Sequence, residues 1–133
     1  MTAGRIHVSA AVILDAAGRA LLVRKRGTSV FMNPGGKPEP GESAAETLAR
    51  ELGEELGLVI EPGALHPLGS FESDAANEPG HRVVAEAFSV TVDPDTVSAQ
   101  AEIAELRWIT RDEASTLSLA PLSTEFLLPI AWG

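Results

Sequence analysis

The sequence predicts an α/β fold of the α+β type, and three observations carry that prediction. Two β-rich segments at the N-terminus are separated by a four-residue turn, Asp15-Ala-Ala-Gly18. One strongly capped helical segment, residues 43–57, stands near the middle. More β-rich segments follow it, and a second, short helical segment comes late.

Arg5 to Leu14 (RIHVSAAVIL) is rich in β-branched and small apolar residues and reads as a strand. Ala20 to Arg26 (ALLVRKR) reads as a second strand, paired with the first as a hairpin. Its end carries three consecutive cations, Arg24, Lys25 and Arg26. They form either a solvated strand end or, through alternate members, a phosphate-binding wall. Residues 27–32 read as a loop, and Asn33-Pro34-Gly35-Gly36-Lys37 leads on through Pro38, Pro40 and Gly41. The tandem glycines suggest backbone that turns sharply or approaches a ligand closely.

The central helix has Ser43 as N-cap, with Glu46 completing a capping box, and Gly57 as the terminating glycine. Ala45, Leu48, Ala49, Leu52 and Leu56 share one arc, which is the core face. Glu51, Glu54 and Glu55 share a neighbouring arc. Like charges there repel, lie near the negative end of the macrodipole, and have no following Lys or Arg before the cap. Such an arc is either a solvated face or a site for a hard divalent cation such as Mg²⁺ or Mn²⁺.

Beyond the helix, strands are expected near Leu58–Ile60, near Leu65–Phe71 and across His81–Val92, with a loop at Asp74–Gly80. Residues 99–105 are acidic and precede a short strand, Leu106–Ile109. Thr110 caps a short helix over Arg111–Leu117, and another is expected near Ser123–Leu128. His7, His66 and His81 have no ligand spacing and read as structural, and Trp108 reads as core. Phe31 reads as core, with base stacking as its alternative role.

The bulk numbers bound the function. Residues 1–133 read as one domain, long enough for a sizeable core. There is no Cys, so disulfides and thiolate metal sites are excluded. No signal-peptide pattern and no apolar run near the ~20 residues of a membrane span is visible, so a soluble cytoplasmic protein is expected. A net charge of −9 argues against nucleic-acid binding. It also opposes any anionic substrate unless a divalent cation comes with it.

Gly36, Glu42, Arg50-Glu51-Leu52, Glu54-Glu55 and Gly57-Leu58 stand at the spacing G-x5-E-x7-R-E-U-x-E-E-x-G-U, with U aliphatic. All nine specified positions match, which resembles the complete Nudix box. The box spans residues 36–58, and the chance of such a match at any one start is below about one in ten million. The resemblance implies an α/β/α sandwich around a mixed β-sheet and hydrolysis of a nucleoside diphosphate linked to another moiety. It implies Mg²⁺, with Mn²⁺ as a substitute, held by Glu51, Glu54 and Glu55 with the Gly35 or Gly36 carbonyl. One of the glutamates, in the helix or at Glu105, would be the general base. Glu-x-x-Trp before a late strand resembles the place where many members supply one more carboxylate. Glu105 fits that pattern better than Glu102, and both also read as solvent-facing. Glu42, Arg50 and Gly57 match positions that are mainly structural in the family. Arg24 and Lys25 resemble basic residues that meet phosphate in MutT-like members, and Lys37 is a further candidate.

The substrate implied is a small nucleotide, most simply a (deoxy)nucleoside triphosphate, oxidised or not. Tyr is absent, the proline of ADP-ribose members is missing near Ser73, and the SQPWPFPxS array of NADH members is missing too. An ADP-ribose, nucleotide-sugar or dinucleotide hydrolase is the alternative, as is a catalytically silent nucleotide-binding domain. Neither nucleic acid nor membrane is expected as a partner, and the chain is expected to be a monomer or homodimer.

Overall fold

The computed structural model describes residues 4–133. Strand β1 (Arg5–Leu14) forms the centre of a mixed sheet whose order is β4-β5-β1-β2-β6. It pairs in parallel with β5 (Arg82–Thr91) and antiparallel with β2 (Ala20–Lys25). It also pairs with the two-residue β3 (Gly35–Gly36), which sets Ser9 opposite Gly36 and Ala10 opposite Gly35. The outer strands are β4 (His66–Asp74) on β5 and β6 (Ile103–Ile109) on β2.

The small apolar run of β1 follows from burial on both faces. Ala11 and Ile13 pack with Leu21, Val23 and the α1 residues Leu48, Leu52 and Leu56. Ala10 and Val12 face the other way and pack with Ala85, Ala87, Leu122 and Leu127. A strand buried on both sides reads as continuous apolar sequence rather than alternation. Helix α1 (Ala44–Leu56) therefore covers one face and the C-terminal segment covers the other, which is the α/β/α layering.

The caps of α1 form as expected: Glu46 N–H donates to Ser43 Oγ, Ser43 N–H donates to Glu46, and Gly57 closes the helix at φ 70°. The same box appears at Thr110 and Glu113 before α2 (Arg111–Ala114). Residues 58–60 form no strand. The Leu58 N–H is spent on the Leu52 carbonyl, Leu58 turns into the core, and Val59 is 97% exposed with no ladder partner among the described residues. Strand β6 begins at Ile103, so it takes in Glu105, which the sequence places ahead of the strand. The C-terminal helical segment is a π-turn, Ser123–Leu127, running into α3 (Leu128–Trp132). Phe31 is buried beneath the Arg107 guanidinium, 5.6 Å from the ring centre, and lies in the core. Trp108 packs at the margin of the core. No helix among the described residues is long and apolar enough to cross a membrane.

Candidate active site

The site grows from the junction of α1, β3 and the end of β2. A cleft of about 420 Å³ opens there, lined at this end by Lys25, Gly35, Gly36, Lys37, Glu51 and Glu102. Backbone packing explains the glycines. A Cβ at Gly35 would strike the Ser9 carbonyl of β1, and one at Gly36 would overlap the Glu51 carboxylate. The chain therefore passes close to both β1 and α1 only because those side chains are absent.

The three helix glutamates differ in environment. Glu55 is 2% exposed and neither carboxylate oxygen has a hydrogen-bond partner. Burial pushes its carboxyl up to about 7, and the Lys25 charge pulls it back only in part, while Glu51 and Glu102 add repulsion. The Gly35 backbone lies close enough to favour the anion slightly without completing a hydrogen bond. Glu51 is largely buried and accepts from Arg50 Nη1 at 2.7 Å. Glu54 is mostly exposed and meets the same nitrogen at 3.2 Å. Arg50 thus supplies from within the helix the positive charge that the sequence shows missing after it, and it offsets the repulsion along the arc.

Arg50 organises more than the arc. Its Nε and Nη2 donate to the two oxygens of Glu42 at 2.7 and 3.0 Å, and Nη2 also donates to the Lys37 carbonyl at 2.9 Å. The planar fork ties the loop after β3 to the helix. The Arg50 guanidinium holds the Glu42 carboxyl down to about 2, helped by the Glu39 N–H and Thr47. A carboxyl lowered in the folded state adds stability that is present above about pH 4.5 and lost as pH falls towards 2.

The basic and late acidic residues divide. Lys25 and Lys37 line the cleft. Arg24 does not: it donates to the Thr28 carbonyl and to Glu105 at 3.3 Å. Glu105 sits on β6 opposite Arg24 and also accepts from Arg107, whose guanidinium holds its carboxyl below the usual range. It is not among the residues that line the cleft. Glu102, in the turn before β6, does line it and pairs with Lys25 at 3.5 Å. The irregular register between Arg24 and Lys25 on the β2–β6 ladder separates the two glutamates. Sequence reasoning passed over Asn33 and Ser123, which are buried polar residues on the cleft wall. The pair of residues preceding the tandem glycines was the available signal for Asn33, and Ser123 had none.

Among the described residues no three carboxylates or imidazoles converge as a ready ligand set. The chemistry nevertheless fits a hard cation. Glu55 offers two buried oxygens without partners, Glu51 lies beside it, and all donors are oxygen.

The NUDIX domain family model matches residues 5–128. The chain belongs to the Nudix hydrolase family. It is 34% identical over 127 residues to an uncharacterized Nudix hydrolase of Pseudomonas aeruginosa, across 87% of this chain and 72% of that protein. It is 36% identical over 116 residues to the isopentenyl-diphosphate Δ-isomerase of Nocardia farcinica, across 80% of this chain. The chain spans just under two thirds of the length of the isomerase relatives it matches. The solution structure of the E. coli ORF135 protein superposes with a TM-score of 0.71 at 30% identity, covering 96% of this chain and 89% of that one. Nudix hydrolases generally use divalent metal ions.

Proposed function

We propose that this Nudix protein hydrolyses the diphosphate link of a small nucleotide with Mg²⁺, releasing pyrophosphate and a monophosphate from a nucleoside triphosphate. The observation that carries the proposal is Glu55, a buried carboxylate with two unpartnered oxygens, set behind Lys25, Gly35, Glu51 and Glu102 of the cleft lining, whose charges and backbone act on it. Glu55 and Glu51 would hold the metal with the Gly35 or Gly36 carbonyl, and Glu54 would join once released by Arg50. The ion would neutralise diphosphate oxygens and acidify an attacking water. Lys25 and Lys37 steady the phosphate charge, and the Arg50 fork keeps Glu51 and the Lys37 loop in place. Glu102, rather than Glu105, stands where a further carboxylate can take up a proton from water, because it faces the cleft. We place the protein in the cytoplasm, as a monomer or homodimer.

A screen of nucleotides with Mg²⁺, reading released phosphate and pyrophosphate, tests this. Turnover of at least one nucleoside triphosphate or other diphosphate-linked nucleotide is expected. Binding without turnover across the panel would favour a silent nucleotide-binding domain. The isomerase relatives and the apolar part of the cleft wall favour a second reading, action on an isoprenoid diphosphate. Including isopentenyl diphosphate in the panel separates the two.

The lysine assignment makes a second prediction. Lys25→Ala and Lys37→Ala should each raise KM by about tenfold, as expected for losing one charged contact. Arg24→Ala should leave KM within about twofold, since surface pairs contribute little. Steady-state kinetics with folding checked by circular dichroism decides it, and equal effects at all three positions would count against the geometry.

A further inference from the structure

Helix α1 ends among carbonyls that its own turns cannot satisfy, and one later segment answers two of them. Ser98 N–H donates to the Leu56 carbonyl at 3.1 Å, and Gln100 N–H donates to the Glu55 carbonyl at 2.9 Å. The approach is close, since a Cβ at Gly57 would strike the Gln100 amide. The stretch that runs into Glu102 is thus fastened to the last turn of α1, the turn that carries Glu55.

Between that fastening and Glu102 the chain turns sharply. Ile103 N–H donates to the Gln100 carbonyl at 3.1 Å, which closes a four-residue turn with Ala101 and Glu102 at its centre. Ala101 has φ 53° and is the one non-glycine residue with positive φ among the described residues. A positive φ at the second place of a turn, without one at the third, favours glycine there. The Cβ of an alanine crowds the following carbonyl in that conformation, and such strain persists only where the surroundings over-determine it. They do here. Gln100 is held by α1, and the Glu102 carbonyl accepts from Arg26 N–H at 2.8 Å, just beyond the end of β2. The Ala101 side chain itself is exposed, so its residue type acts through the backbone rather than through packing.

What the turn sets is the direction of Glu102, whose carboxylate borders the cleft and stands 3.5 Å from Lys25 Nζ. We propose that Ala101 is a positioning residue: its left-handed turn, clamped between the Glu55 turn of α1 and Arg26, places the Glu102 carboxylate in the cleft for the hydrolytic step. This rests on the reading above of Glu102 as the group that takes up a proton from water. One rigid frame then joins the helix turn of Glu55 to Glu102 and fixes the separation of the two carboxylates.

The test is a double-mutant cycle on kcat with Mg²⁺, using whichever of ATP, CTP, GTP and UTP wild type turns over fastest. Glu102→Gln should lower kcat by about a hundredfold, as loss of a positioned proton acceptor does. Ala101→Val should lower kcat by about tenfold or more and leave KM within about twofold, because a β-branched residue resists positive φ and displaces the carboxylate. A valine at an exposed position without that role would be nearly neutral. In the Glu102→Gln background Ala101→Val should cost less than about threefold, since it acts through a group already removed. Ala101→Gly takes this φ without strain and should restore kcat to within about twofold of wild type. In metal-free protein, hydrogen exchange of the Ile103 amide should quicken by about tenfold in Ala101→Val. Equal losses from Ala101→Val in both backgrounds would overturn the inference alone, as would wild-type kcat or an unchanged Ile103 amide in that variant. Ala101→Gly falling as far as Ala101→Val would overturn it too. Full kcat in Glu102→Gln would overturn it together with the reading of Glu102, and a wild type that turns over none of the four nucleotides would overturn it together with the nucleotide reading.

Discussion

Glu55→Gln should lower kcat/KM by about a thousandfold or more while leaving the metal-free protein at least as stable as wild type. The activity loss follows if Glu55 holds the cation, since metal stabilisation of developing charge amounts to several kcal/mol of barrier. The stability gain follows from burial. An ionised carboxylate with no hydrogen-bond partner is costly inside a protein, and the amide removes the charge at nearly constant shape. The pH dependence has a definite sign. The Glu55 carboxyl rises from about 4.5 to about 7 on folding, so between those values the folded state binds the extra proton. Metal-free wild type should lose stability as pH rises through that window, by on the order of 3 kcal/mol in all, and then level off. The Gln variant should lack this slope. Urea denaturation from pH 4.5 to 8 in EDTA measures it. Parallel curves for the two proteins would show that Glu55 ionises without penalty.

Arg50→Lys should be damaging despite keeping the charge. The guanidinium reaches Glu42 with two nitrogens and also contacts Glu51, Glu54 and the Lys37 carbonyl. An ammonium cannot reproduce that fork. We expect a melting temperature lower by about 5 °C or more and kcat/KM down by about tenfold or more, because the Lys37 loop and Glu51 lose their common anchor. A variant that melts within about a degree of wild type would make the network a set of independent surface pairs, which contribute little.

What could be read from sequence was local. Ser43, Glu46 and Gly57 define α1 through contacts within a few residues, and the structure forms each of them. The run from Ala10 to Ile13 implies a buried strand because both of its faces are covered. What could not be read depends on distant partners. Residues 58–60 have strand-like composition, but no strand among the described residues accepts their hydrogen bonds. The cleft-facing position of Glu102 rather than Glu105 depends on the register irregularity against β2. The sharing of one arc by Glu51, Glu54 and Glu55 is visible in the spacing, but their unequal burial depends on where β3 and Arg50 meet the helix. Ser123 meets Asn33 across 90 positions, which no local pattern reports.

The central claim is that the buried Glu55 carboxylate holds a divalent cation. A Mg²⁺ titration of wild type and Glu55→Gln, followed by melting temperature and by calorimetry, tests it most directly. A cation bound only by the folded protein stabilises it by about 2.7 kcal/mol at a hundred times Kd. The account predicts a saturable upward shift in wild type, larger at pH 8 than at pH 5, and little or none in Glu55→Gln. Equal shifts in the two proteins, or none in wild type at saturating Mg²⁺, would contradict it.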